Sequence, residues 1–98
     1  MKKLKNINWN HLYYFYEIAR HKSLQQAARY LSISPSTLSE HLKKLENEFN
    51  LKLFRRESTG LVLTPSGEIF FKDASEIFSI GSKMIEKLID EQRDGHMT

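Results

Sequence analysis

Ninety-eight residues, 40% of them hydrophobic and 11% aromatic, make one small domain with a modest core and exclude wholesale disorder. The absence of cysteine excludes a disulfide framework and a thiolate metal site, and the short apolar runs supply neither a membrane span nor a secretory signal, so a cytoplasmic protein is expected. The formal charge of +3 is asymmetric, +7 from Met1 to Arg56 and −4 from Glu57 to Thr98, which directs a polyanionic partner to the front half.

Periodicity predicts four helices and one short hairpin. The first helix starts at Asn8, a good N-cap, and carries Leu12, Phe15, Tyr16 and Ala19 on one face. It ends near His21 and Lys22, where positive charge suits the helix dipole. Ser23 and Gln26 form a capping box for the second helix, whose stripe is Leu24, Ala27, Ala28 and Leu31. After the break Ser32-Ile33-Ser34, Ser34 caps a third helix with Pro35 at its first position, where a missing N–H costs nothing. That helix turns Leu38, Leu42, Leu45 and Phe49 inward and Ser36, Ser39, Glu40 and Lys43 outward. Two helices joined by so short a turn make a helix-turn-helix.

The apolar runs Leu51 to Arg55 and Leu61 to Leu63 flank the turn-forming Glu57-Ser58-Thr59-Gly60, which predicts a β-hairpin, or wing. Thr64 and Pro65 then start a last helix, expected to run to about Gln92. Within it Phe70, Ala74, Ile77, Gly81, Met84 and Leu88 step by four and three residues, a heptad seam widened by Phe71, Phe78 and Ile85. A helix of about 28 residues extends roughly 42 Å, too long for so small a body to cover, so the seam is assigned to a homodimer interface. The expected fold is mainly α: a winged helix-turn-helix over residues 8–64, a dimerisation helix over 65–92, and a disordered tail over 93–98.

A helix enters the major groove with short polar side chains outward, within reach of base edges. Pro35, Ser36, Thr37, Ser39 and Glu40 are the candidate base-contacting residues, because the N-terminal part of the second helix in such a motif points at the bases. Lys43 and Lys44, one turn on, are assigned to phosphates, as are Ser23, Ser34 and the backbone N–H of Gln25 at helix N-termini. Arg55 and Arg56 flank the wing and are assigned to the DNA backbone or minor groove, although Arg56 has an acidic neighbour, Glu57, to pair with. Trp9, Tyr13, Tyr14 and Tyr16 fall at core spacing, which favours packing over a stacking platform for single strands. The four histidines lack metal-ligand spacing, and no glycine-rich phosphate loop, nucleophile elbow or spaced carboxylate pair is present. No metal, cofactor or catalysis is expected. The competing reading is a helical protein–protein adaptor that uses the seam alone.

From Leu12 to Gly67 the chain resembles the N-terminal domain of LysR-type transcriptional regulators of bacteria. The resemblance runs through Tyr14-Phe15, Ala27-Ala28, Leu38-Ser39, Leu45-Glu46, Leu53-Phe54, Arg56, Leu63-Thr64 and Gly67-Glu68, without gaps. The stretch NWNHLYYFY over residues 8–16 is similar to the subgroup that regulates sodium–proton antiporter genes. The resemblance implies a winged helix-turn-helix, a linker helix that pairs two subunits, double-stranded DNA with an inverted repeat as partner, and a small-molecule effector domain that this chain lacks. Pro35-Ser36 stands where Gln-Pro is frequent, Glu40 where Arg or Lys is frequent, and Thr59 at a wing position that is often basic and faces the DNA backbone. The target sequence is therefore expected to be this protein's own.

Overall fold

Asn8 opens the first helix as its side chain accepts from the N–H groups of Asn10 and His11, at 3.0 and 3.2 Å. In the computed structural model, which describes residues 4–94, a 3₁₀ turn over Leu4–Asn6 precedes this helix, α1 (Trp9–His21). Ser23 Oγ accepts from Gln26 N at 3.1 Å, forming the first half of the expected capping box and starting α2 (Leu24–Leu31). Ser34 Oγ accepts from Thr37 N at 3.1 Å to start α3 (Pro35–Phe49). All three of these helices end on a non-glycine residue in the left-handed region: Lys22 at φ 58°, Ser32 at 60° and Asn50 at 54°. The cost of that conformation is offset by cap N–H groups that bond back to the last turn.

Phe15 and Ile18 of α1, Ala27 and Ala28 of α2, and Leu38 and Leu45 of α3 form the centre of the core. The alanines let α1 and α3 approach α2 closely, because no branched side chain holds the backbones apart. The helix-turn-helix is thus α2 and α3, mounted on α1.

The hairpin pairs β1 (Phe54–Glu57) antiparallel with β2 (Gly60–Leu63), in a register that sets Phe54 opposite Leu63 and Glu57 opposite Gly60. The first strand begins three residues later than the apolar run suggested, because the backbone of 51–53 bonds to α3 and to Thr64 rather than to a strand partner. Positive φ falls on Gly60, at 122°, and not on Ser58 or Thr59. The turn therefore resolves at the glycine that follows it. Phe54 anchors the wing on the core with its ring centroid 5.4 Å from that of Phe15.

Thr64 Oγ1 accepts from Gly67 N at 3.0 Å and opens α4 (Pro65–Asp94), 30 residues long. The helix carries Arg93 and Asp94 with it, two residues past its expected end; the rest of the expected tail, 95–98, lies outside the described residues. Its first turns pack on α1 and the core, and the remainder extends past the domain along a molecule 52 Å in its longest dimension.

Candidate nucleic-acid interface

Proline at the first position and serine at the cap leave the start of α3 with polar side chains on its outer face. Pro35, Ser36, Thr37, Glu40 and Lys43 are exposed, and Ser39 is half-buried in the middle of them. Three hydroxyls are already engaged at the cap: Ser34 Oγ donates to Thr37 Oγ1 at 2.8 Å and lies 3.3 Å from Ser36 Oγ. Ser39 and Glu40 make no such bond among the described residues. The face therefore offers hydroxyls as donors or acceptors and one carboxylate as acceptor, over about two helical turns.

Cationic groups border this surface. Lys43 and Lys44 are exposed one turn further along α3. Ser23 and Gln25 sit at the start of α2, with Gln25 exposed and Ser23 holding its own cap. On the wing it is Arg55, not Arg56, that pairs with Glu57, through Nε to Oε2 at 2.7 Å. Alternation along a strand explains this, since residues 55 and 57 share one face and residue 56 points to the other. Arg56 makes no ion pair among the described residues, and the exposed Thr59 forms the tip of the turn.

Two buried carboxylates escape the periodicity reading. Glu46, 7% exposed, accepts from the backbone N–H of Leu53 at 2.8 Å. Glu17, 3% exposed, receives Arg20 at 2.7 Å and His21 at 3.5 Å. That hydrogen bond holds the Arg20 guanidinium above its ordinary range, and Arg20 also lies 5.1 Å over the Tyr30 ring. Burial, and then the hydrogen bond with Glu17, push the Tyr13 phenol well up. The Glu17–Arg20 pair was visible as an i, i+3 spacing. Glu46 gave only the hint of an acid adjoining Leu45 on an inward face.

The expected partner seam on α4 divides in two. Phe70 packs edge-on against Phe15 and Phe49, with centroids 6.1 and 5.3 Å away, and Phe78 lies 5.2 Å from both Tyr13 and Tyr16. Ala74 is 1% exposed, so its assignment to a dimer interface is corrected: it is a core residue of its own chain, because the first turns of α4 close over α1. Ile77, Met84, Ile85 and Leu88 remain exposed, and Gly81 has open space where a Cβ would stand. Ile69, Ile80 and Ile89 are exposed beside them, outside the seam read from the heptads.

No helix among the described residues is long and apolar enough to cross a membrane. Residues 9–68 match the family model described as bacterial regulatory helix-turn-helix protein, lysR family. The chain is 40% identical over 77 residues to the HTH-type transcriptional regulator BudR of Klebsiella aerogenes, covering 79% of this chain and 54% of that protein. It is 32% identical over 83 residues to the transcriptional activator protein NhaR of Escherichia coli (strain K12), covering 85% of this chain and 28% of that one. Among solved structures, the BenM_DBD/catB site 1 DNA complex aligns with a TM-score of 0.77 at 28% identity, over 93% of this chain and all of that one. The chain thus spans between about a quarter and about half of the length of these two curated relatives.

Proposed function

Because the chain belongs to the lysR family of bacterial regulatory helix-turn-helix proteins, we propose that it binds double-stranded DNA sequence-specifically as a homodimer, in the cytoplasm, and performs no catalysis. Residues 8–64 are the DNA-reading module and 65–92 the helix that pairs two copies. Each copy sets α3 into a major groove, with Ser36, Thr37, Ser39 and Glu40 toward base edges and Pro35 shaping the approach. Glu40 accepts from a cytosine N4 amino group, the base-edge donor suited to a carboxylate. Lys43, Lys44, Ser23, Gln25 and Ser34 meet phosphates, while Arg56 and Thr59 lead the wing toward an adjacent minor groove and Arg55 is steadied by Glu57. The site is an inverted or imperfect repeat and is A·T-rich. A small-molecule effector is the business of the part of such regulators that this chain does not span.

The observation that carries this reading is the outer surface of α3, whose short polar side chains lie uncovered at the helix start with exposed lysines behind them. A gel-shift titration against duplexes selected from random sequence tests it. With about six lysine and arginine contacts per dimer, affinity falls on the order of 10³-fold between 50 and 200 mM salt, as released counterions are recaptured. Ser39→Trp abolishes site preference and leaves the fold intact. Selection that returns no sequence at either salt concentration leaves the protein–protein adaptor as the better reading.

A further inference from the structure

The wing stands on three residues without regular structure, Leu51-Lys52-Leu53, whose backbone is held from two sides. From α4's start, Thr64 Oγ1 donates to the Lys52 carbonyl at 2.6 Å and Thr64 N to the Leu53 carbonyl at 3.0 Å. From α3, Leu51 N donates to the Glu46 carbonyl at 3.0 Å, and Leu53 N donates to Glu46 Oε2 at 2.8 Å. Only the last of these is a side-chain bond from the DNA-facing helix, and both its ends are buried, Leu53 being 1% exposed. Its other oxygen faces Lys52 Nζ at 3.9 Å, across a lysine that is 80% exposed, so solvent screens that pair. A carboxylate kept this far from water is costly unless it is hydrogen-bonded, and a backbone N–H to a carboxylate is among the stronger such bonds.

We propose that Glu46 is a positioning residue for DNA recognition: through the Leu53 N–H it locks the wing to α3, so that groove helix and wing meet the duplex as one rigid body. This rests on the DNA-binding reading above. It adds that the spacing between major-groove and minor-groove contacts is set by a buried acid that touches no DNA. Leu53 immediately precedes Phe54, the first wing residue, so freedom at this bond is magnified at the exposed turn. Thr64 holds Lys52 and Leu53 to the start of α4, and therefore cannot by itself fix their angle to α3.

The test compares Glu46→Gln, which keeps an acceptor, with Glu46→Met, which keeps the bulk and removes it. On a selected duplex, hydroxyl-radical footprinting separates protection under α3 from protection at the wing flanks. Glu46→Met is expected to retain the central protection, lose the flanking protection and bind about ten- to a hundredfold more weakly, as one buried N–H is left without its partner. Glu46→Gln is expected to restore most of the flanking protection. Unchanged flanks in Glu46→Met overturn the proposal, as does equal loss in both variants. Should Glu46→Met not fold, residual dipolar couplings of the unmodified chain decide: one alignment tensor for α3 and the wing supports the lock, and two tensors refute it. If the unmodified protein selects no DNA, the DNA reading fails, while the couplings still report on the lock.

Discussion

His11 of α1 and His41 of α3 face each other with ring centroids 4.9 Å apart, and His41 Nδ1 is buried with no hydrogen-bond partner among the described residues. Burial lowers the His11 pKa from its ordinary 6.5, and His41 and Lys44 lower it further against the opposing pull of Glu48. A base held below its unfolded pKa takes up more protons when the chain unfolds. Its contribution is therefore complete above about pH 6.5 and is lost as pH falls through that value. We expect the urea midpoint to drop between pH 7.5 and 5.5, with a shallower drop in His11→Gln; superimposable pH profiles for the two proteins would count against this role.

Glycines give a second contrast at the same scale. A Cβ on Gly67 would stand 2.1 Å from the Leu53 carbonyl oxygen, an obstacle of backbone that does not yield, whereas one on Gly81 would meet nothing within 4 Å among the described residues. Gly67→Ala should cost about 1–3 kcal/mol through overpacking. Gly81→Ala should add about 0.5–1 kcal/mol of helix propensity in the dilute protomer. Chemical denaturation checks both, and effects of the same sign would mean the local packing is misread.

At the scale of elements, the N-terminal caps were legible because Asn8, Ser23, Ser34 and Thr64 act on N–H groups two or three residues away. The left-handed C-caps were not, since Lys22, Ser32 and Asn50 adopt a glycine-like conformation under the demands of tight connections. The strand start was displaced for a related reason: Leu51 to Leu53 look like strand by composition, yet their polar backbone groups are claimed by Glu46 and Thr64.

The last helix shows the same limit. Its heptads announce an apolar stripe but do not say which turns face the protomer's own core. Met84, 56% exposed and well past Phe78, lies on the free portion. In the homodimer proposed above, Met84→Asp should weaken self-association on the order of a hundredfold by placing a charge in an apolar contact. Sedimentation equilibrium reads the result, and a dimer as tight as the original would remove this face from the interface.

For the molecule as a whole, charge and shape divide the labour. The basic half, Met1 to Arg56, contains the helix-turn-helix, and the acidic half, Glu57 to Thr98, contains α4. Thirty helical residues reach roughly 45 Å, so the far turns of α4 stand clear of the domain. The steep salt dependence expected of DNA binding belongs at this scale, because it sums over the cationic border rather than over any one contact.

The sequence by itself determined what depends on neighbours along the chain: the helix count, three of the stripes, the N-caps, the two-helix reading motif and the polar start of its second helix. Spacing along one helix fixes which residues share a face. Tertiary structure decided which face meets which. It buried Glu46 and Glu17, brought His11 to His41 and took Ala74 into the core. Each of those outcomes rests on groups brought together by the packing of whole elements, a relation that local periodicity does not encode.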